Sequence, residues 1–216
     1  MMILKNFAVF EGGDGSGTTT QLGLLRNRFA SPAVSGLPPL YATWEPTDGP
    51  IGGLLRSALK GEIPLKRETL ATLFAADRNE HVYASGGIVE RSTRGELVIS
   101  DRYVLSSLVY QGIDCGEELV RRLNERFPLP ELLFFFDIDG EQAVTRMEGR
   151  RVKEIYEYLD FQIQVRERYR ALLPWYAREG VRVEIIDASQ EPQAVAEEIW
   201  RALRNMPIVK GAGNAT

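Results

Sequence analysis

A glycine-rich loop near the beginning of the chain has the residue types and the spacing that bind phosphate. The loop consists of Gly12, Gly13, Asp14, Gly15, Ser16, Gly17, Thr18 and Thr19. A segment with helical spacing follows it at once. Glycines let successive backbone N–H groups turn inward towards an anion, and the N-terminus of the next helix adds a favourable dipole. The pattern GxxxxGK[ST] predicts that a nucleotide phosphate binds here and that the Thr19 hydroxyl faces Mg²⁺. A tight turn between a strand and a helix is the structural alternative.

The lysine of this pattern is missing. Thr18 stands at the lysine position, and no lysine lies between Lys5 and Lys60, so a small shift of register cannot restore it. Phosphoryl transfer depends on positioning and on neutralising negative charge. Another cation must therefore replace the lysine, or the rate of transfer must fall.

A second group of chemistry-bearing residues, Asp101-Arg102-Tyr103, ends another apolar run. A carboxylate at this place can reach Mg²⁺ or its water shell, and a guanidinium can form two parallel hydrogen bonds to a phosphate. Asp101 and Thr19 are therefore the predicted metal-binding residues. Taken alone, the triplet is equally consistent with a surface ion pair.

The composition excludes several other classes of function. The single cysteine excludes an intramolecular disulfide and a multi-cysteine zinc site, and the single histidine argues against a transition-metal centre. A net charge of −4 gives no overall electrostatic signal for nucleic acid or an anionic membrane. Since no apolar run approaches the roughly 20 residues of a membrane span and the first residues lack an export pattern, we expect a cytoplasmic protein.

The elements that must position these residues alternate between strands and helices. Apolar runs predict strands at residues 3–10, 40–44, 97–100, 132–138 and 181–186, and helical spacing is found notably at 21–29, 68–90, 140–148, 152–178 and 192–204. Nearly continuous apolar strands with helices between them predict one α/β domain over residues 1–216, with a parallel sheet covered on both faces. Residues 206–216 are expected to form a frayed terminus.

Polar residues follow each predicted strand, where the ligand crevice of an open parallel sheet lies. We expect these residues to converge on one rim: the loop after the first strand, Glu45, Asp101 with Arg102, Asp137 with Asp139, and Asp187. The last three aspartates are expected to serve mainly in turns and helix caps.

Five segments, taken together and in order, resemble the thymidylate kinase family. They are residues 10–17, the turn Thr43-Trp44-Glu45-Pro46, and residues 73–78, 101–111 and 150–157, within a resemblance that runs over residues 7–187. The resemblance implies reversible transfer of the γ-phosphoryl group of Mg·ATP to dTMP. It also implies a P-loop kinase fold of three α/β/α layers with a five-stranded parallel sheet, a helical lid around residues 145–156, and a homodimer.

The resemblance also implies roles for individual residues. The loop residues 12–19 would bind ATP, and the catalytic set would be Asp14, Arg102, Arg150, Arg151 and Lys153. The residues that would bind dTMP are Asp14, Glu45, Arg56, Phe74, Arg78, Arg102, Tyr103, Ser106, Tyr110 and Gln111.

Within the dTMP-binding set, the residue types match the groups of a nucleotide. Phe74 and Arg78 are one helical turn apart, so a ring can stack on thymine while a guanidinium donates to a carbonyl oxygen. Arg102 would hold the dTMP phosphate, Tyr103 would crowd a ribose 2′-hydroxyl, and Gln111 would pair with the thymine edge. A phenylalanine in the core with an arginine reaching to solvent is the alternative for the first pair.

Three hypotheses about the function remain open at this point. The first is a thymidylate kinase in which Arg150, Arg151 or Lys153 replaces the missing lysine when the lid closes. The second is a related kinase that prefers another nucleoside monophosphate, and the third is a nucleotide-binding relative that has lost transfer with its lysine.

Overall fold

The computed structural model describes residues 2–32, 34, 36–147 and 158–212. Its centre is a parallel sheet made of β1 (Ile3–Gly12), β2 (Leu40–Trp44), β3 (Leu97–Asp101), β4 (Leu129–Asp137) and β5 (Arg182–Asp187). The strands lie side by side in the order β2-β3-β1-β4-β5, so β1 is in the middle. The register places Phe10 beside Asp101 of β3 and Phe134 of β4.

Helices fill the connections between the strands. In chain order the described helices are α1 (Thr18–Ala30), α2 (Pro50–Leu59), α3 (Arg67–Tyr83), α4 (Ile88–Thr93), α5 (Val104–Cys115), α6 (Glu117–Asn124), α7 (Gly140–Met147), α8 (Leu159–Arg178), α9 (Pro192–Leu203) and α10 (Pro207–Ala212). With helices on either side of a parallel sheet, the architecture is the expected three-layer α/β/α arrangement of a P-loop kinase.

Each face of the sheet carries its own apolar core because the side chains of β1 alternate between them. Phe7 and Val9 pack with residues of α3, α5 and α8, whereas Ala8 and Phe10 pack with residues of α1 and α9. Each core includes a residue near the carboxyl end of β1, Val9 in one and Phe10 in the other, so apolar packing supports the following loop from both faces of the sheet.

All five predicted strands are confirmed, each with ends within three residues of the prediction. The single helix predicted over residues 68–90 is wrong, because the chain forms α3 and α4 with a break at residues 84–87. Gly86 has a left-handed φ of 74°, which a continuous helix cannot contain. The tail also differs from the prediction, since residues 207–212 form α10.

In the described part of the chain, the searched helices include none that is both long enough and apolar enough to cross a membrane.

Candidate active site

A cleft of about 910 Å³ lies at the carboxyl ends of β1 and β3, within the size range of small-molecule sites. The sequence-predicted site residues in the described part of the chain line this cleft, with the exception of Gly12. They come from the loop after β1, the turn after β2, helices α2 and α3, the end of β3, and helix α5. Residues far apart in the chain therefore surround one volume.

The loop between β1 and α1 has the curvature of a phosphate cradle. Gly15 and Gly17 have φ values of 81° and 91°, which favour glycine, and α1 begins directly afterwards at Thr18. A Cβ on Gly15 would lie 2.5 Å from the carbonyl oxygen of Ala143 in α7. Glycine at this position therefore serves both the turn and the close packing of α7 against the loop.

Thr19 and Asp101 meet at the edge of this loop, as the metal prediction requires. The Thr19 hydroxyl donates to Asp101 Oδ2 at 2.7 Å. Asp101 Oδ1 is buried and has no hydrogen-bond partner among the described residues. A carboxylate oxygen left unsatisfied beside a hydroxyl suits a hard divalent cation, so the two residues fit Mg²⁺.

The rest of a magnesium coordination sphere would come from other groups. Across the described ranges, no three histidine, cysteine, aspartate or glutamate side chains come together as a metal cluster. Mg²⁺ in nucleotide sites is usually held by one or two carboxylates, and substrate phosphates and water complete its coordination. Thr19 and Asp101 would supply the protein ligands of such a site, and phosphates and water would supply the others.

Arg102 points across the mouth of the loop. Its guanidinium forms an ion pair with Asp14 and donates to Gly12 O at 3.0 Å and to Ser106 Oγ at 3.4 Å. The guanidinium carbon also lies 5.2 Å from the centre of the Tyr110 ring. These contacts hold a partly exposed cation beside the phosphate loop.

Asp14 has a second partner that sequence reasoning missed. Gln162 of α8 accepts a hydrogen bond from Asp14 N at 3.1 Å and donates one to Asp14 Oδ2 at 3.2 Å. The two residues are 148 positions apart, so no local pattern could have paired them. Helix α8 is thereby fixed to the phosphate loop.

Glu11 is another residue that the sequence analysis did not single out. It is fully buried under the loop, where its carboxylate accepts hydrogen bonds from Ser106 Oγ at 2.5 Å, Ser106 N at 3.3 Å and Tyr169 OH at 3.1 Å. Burial raises the pKa of Glu11 to about 7, although Ser106, Arg102 and Tyr169 each favour the ionised form. A carboxyl group that titrates near neutrality therefore lies next to the site.

Glu45 and Arg78 form a buried ion pair at the back of the cleft. Arg78 donates to Glu45 Oε2 from Nε at 2.9 Å and from Nη2 at 2.7 Å, and also to Asn124, Tyr103 O and Ser107 Oγ. Burial alone would raise the pKa of Glu45, but Arg78 and His81 outweigh it and hold that pKa below its usual value. The pair therefore joins the turn after β2 to α3.

Arg78, which is predicted to contact thymine, is largely engaged in hydrogen bonds within the protein. Its guanidinium lines the cleft, yet most of its N–H groups already donate to protein acceptors. The alternative of an arginine reaching to solvent is wrong, because Arg78 is only 1% exposed. His81 is likewise held, with Nδ1 3.0 Å from Glu45 Oε1 and Nε2 2.7 Å from Thr43 Oγ1.

The remaining residues predicted to bind dTMP line the same cleft. Phe74 is partly buried, and Gln111 is buried. Arg56 donates to Pro46 O at 3.0 Å and to Thr47 O at 2.6 Å, so it supports the turn after β2. The Tyr103 hydroxyl is buried without a hydrogen-bond partner among the described residues.

The other predicted rim aspartates divide into two kinds. Asp139 accepts from Gln142 N at 3.0 Å, and Asp187 accepts from Ser189 N at 3.0 Å, as expected of cap and turn residues. Asp137 differs from the expectation, because it forms ion pairs with Arg166 and Arg170 of α8.

Arg150, Arg151 and Lys153, the predicted lid cations, lie outside the described residues. The arginine nearest to them in the described part of α7 is Arg146, which lines the cleft and donates to Ala188 O at 2.9 Å. This contact links α7 to the loop after β5.

Comparisons with known proteins agree with this geometry. A family model described as thymidylate kinase matches residues 10–199. A protein of Treponema pallidum (strain Nichols), provisionally named thymidylate kinase, is 41% identical over 213 residues, which cover 97% of this chain and 100% of the relative. A protein of Pyrobaculum aerophilum named probable thymidylate kinase is 40% identical over 202 residues, which cover 93% of this chain and 97% of the relative.

Proposed function

The chain belongs to the thymidylate kinase family, and from that premise we propose that it is a nucleoside monophosphate kinase that transfers the γ-phosphoryl group of ATP to dTMP. The proposal is supported above all by one observation. The phosphate loop, the Thr19–Asp101 pair and Arg102 open onto a single cleft at the carboxyl ends of β1 and β3. Phosphoryl transfer depends mainly on positioning of the substrates and on neutralisation of negative charge. The residues of this cleft are suited to both.

In the proposed reaction, a phosphate oxygen of dTMP attacks the γ-phosphorus of ATP. The bond from that phosphorus to the β–γ bridging oxygen breaks, which leaves dTDP and ADP. The backbone N–H groups of Gly15, Gly17 and Thr18 would bind the donor phosphates, and Thr19 and Asp101 would hold Mg²⁺. When bound, Mg²⁺ supplies positive charge to the phosphate oxygens.

The acceptor would lie on the opposite side of the cleft, between α3 and α5. Arg102 is the proposed phosphate-binding residue, since its guanidinium is partly exposed beside the loop. Phe74 is the proposed stacking partner for thymine, Gln111 the proposed partner for its polar edge, and Tyr103 the residue that excludes a 2′-hydroxyl. Asp14 would meet the sugar 3′-hydroxyl.

The missing loop lysine calls for a replacement, which we assign to Arg150, Arg151 or Lys153. Arginines that reach a transferring phosphoryl group are worth roughly 10³ to 10⁵ in rate. In an Arg150→Ala, Arg151→Ala and Lys153→Ala series, we expect turnover to collapse in at least one variant. Unchanged turnover in all three would overturn the assignment.

A restored loop lysine gives an independent check of the same assignment. Thr18→Lys should recover part of the rate that the sensitive lid variant loses, because it returns a cation to the loop. Thr20→Lys, which places the same charge two positions further along the chain, is the matched control and should recover none.

The test of the proposed function is Mg·ATP-dependent formation of ADP with dTMP as the acceptor. Parallel reactions contain dUMP, dGMP, dCMP or no acceptor, and chromatography identifies the product. We expect turnover with dTMP to exceed turnover with each other acceptor. Higher turnover with another monophosphate would indicate a changed preference, and dTMP binding without turnover would indicate a relative that has lost transfer.

A homodimer and a cytoplasmic location complete the proposal. The dimer is supported by the family resemblance, and it is tested by light scattering of the purified chain at micromolar concentration. A mass near 24.3 kDa would correspond to a single chain and would contradict the proposed dimer.

A further inference from the structure

A buried cluster of three side chains lies beneath the candidate site, and two of them, Glu11 and Tyr169, have no part in the proposed reaction. It joins Glu11 at the end of β1, Ser106 in the first turn of α5, and Tyr169 of α8. All three side chains are at least 90% buried, and the Ser106 and Tyr169 oxygens are 2.8 Å apart. The cluster is therefore a closed hydrogen-bond network shared by three elements.

The number of protons in this network decides which way the Ser106 hydroxyl points. Ser106 Oγ contacts Glu11, Tyr169 and Arg102, and it has one proton to donate and two lone pairs to accept with. With Glu11 ionised, the Ser106 and Tyr169 hydroxyls both donate to its carboxylate, and the lone pairs of Ser106 are free to accept from Arg102. With Glu11 protonated, the carboxyl group must donate to one of the two hydroxyls, and the arrangement changes.

That change reaches Arg102 because Ser106 is one of its hydrogen-bond or ion-pair partners, together with Asp14 and Gly12. The ionised Glu11 also attracts the Arg102 charge across the buried region. Both effects act in the same direction and hold the guanidinium in place beside the phosphate loop.

We propose that Glu11 is a positioning residue: its carboxylate orients the Ser106 hydroxyl to accept from Arg102, and proton uptake by Glu11 loosens the placement of Arg102 and weakens binding of the acceptor phosphate. The proposal rests on the proposed function, in which Arg102 holds the dTMP phosphate. It makes acceptor binding dependent on pH through a residue that touches neither substrate.

The charged and titratable groups that face Glu11 come from two directions. Arg102 faces it from the segment before α5, and Tyr169 and Tyr176 face it from α8. The N-terminal turn of α5 also donates its Ser106 N–H to Glu11 Oε1 at 3.3 Å. Burial outweighs these stabilising contacts and raises the pKa of Glu11 to about 7, so both proton states are populated near neutrality.

The primary test compares wild type with Glu11→Gln from pH 5.5 to pH 8.5, using kcat/KM for dTMP at saturating Mg·ATP. The glutamine amide resembles the protonated carboxyl group, so the two proteins should be similar at the acid end. We expect the ratio of wild type to variant to rise to about tenfold at the alkaline end, mainly through the KM for dTMP. Titration of the dTMP phosphate is common to both proteins and cancels in the ratio. A ratio that does not change with pH would overturn the proposal.

Two tyrosine variants keep the test valid if Glu11→Gln fails to fold. Tyr169→Phe removes a hydrogen bond that favours the ionised carboxylate, so the acid limb of the profile should move to higher pH. Tyr176→Phe is the matched control, since its hydroxyl is buried in the same region without a hydrogen-bond partner among the described residues. Equal profiles in the two variants would contradict the proposal.

Direct titration separates a failure of this proposal from a failure of the proposed function. In protein labelled with ¹³C at the glutamate carboxyl carbon, one resonance should titrate near pH 7 and be missing in Glu11→Gln. Calorimetric dTMP binding, measured at both ends of the pH range, should show the same ratio as kcat/KM. If wild type binds dTMP without turning it over, these two measurements still decide the role of Glu11.

Discussion

Replacing Arg78 by methionine is expected to destabilise the folded chain strongly. Methionine keeps an unbranched apolar stem but removes the charge, so Glu45 would stay buried with His81 Nδ1 at 3.0 Å as its remaining partner among the described residues. Removing one member of a buried ion pair costs about 3–5 kcal/mol because the other charge is left uncompensated. For a chain of 216 residues, this loss corresponds to a fall in Tm of about 10 °C.

The size of the effect should depend on pH through Glu45. Burial opposes ionisation of Glu45, but Arg78 and His81 hold its folded pKa below the unfolded one. Stability from such a carboxylate is fully present above the unfolded pKa and is lost as pH falls through the folded pKa. The difference between wild type and Arg78→Met should therefore be largest at neutral pH and should shrink in acid.

Urea unfolding, followed by tryptophan fluorescence, measures the free energy of unfolding of each variant. Arg28→Met is the control, because Arg28 pairs with Glu197 at 2.7 Å on the surface and its loss should cost less than about 1 kcal/mol. The double variant Arg78→Met with Glu45→Gln should recover part of the loss, since it removes the stranded charge. If Arg78→Met costs no more than Arg28→Met, the reasoning about the buried pair is refuted.

Three further predictions concern the cleft itself. Gly15→Ala should weaken ATP binding by at least about tenfold, because a Cβ would lie 2.5 Å from Ala143 O at a left-handed φ; calorimetry checks this against Gly23→Ala, whose Cβ meets open space on α1 and should leave binding unchanged. Asp101→Asn should raise the Mg²⁺ concentration for half-maximal rate by about tenfold or more, measured in a magnesium titration, and an unchanged value would remove Asp101 from the metal site. Tyr103→Phe should leave the free energy of unfolding within about 1 kcal/mol of wild type, because its buried hydroxyl has no partner among the described residues. The same variant should narrow the preference for dTMP over its ribonucleotide counterpart, and an unchanged preference would contradict the sugar role of Tyr103.

The central strands β1, β3 and β4 could be predicted from the sequence because most of their residues are buried. Residues 132–136 of β4 are almost completely buried, so the run has no polar interruption that could hide it. The break between α3 and α4 was harder to see, because apolar residues continue on both sides of Gly86 and Gly87. A Cβ on Gly87 would lie 2.8 Å from the carbonyl oxygens of Ala84 and His81, which only the folded backbone reveals.

The phosphate loop could be predicted for a different reason. Its conformation is set by Gly15 and Gly17, which lie two positions apart in the sequence, so the local pattern contains most of the geometry. The partners of the loop could not be predicted, since Gln162 and Tyr169 approach it from α8 across most of the chain. The burial of Arg78 could not be predicted either, because it depends on tertiary packing and not on the position of the residue along its helix.

Arg102 has a left-handed φ of 71°, a conformation that disfavours any residue with a Cβ by about 1–2 kcal/mol relative to glycine. Folding and the proposed chemistry therefore favour different residues at this one position. In a library that is randomised at position 102 and selected only for thermal stability, glycine should be enriched and turnover should disappear. Selection for turnover should enrich arginine instead. The difference in the free energy of unfolding between the two selected proteins would give the stability that is lost when position 102 carries the catalytically competent residue.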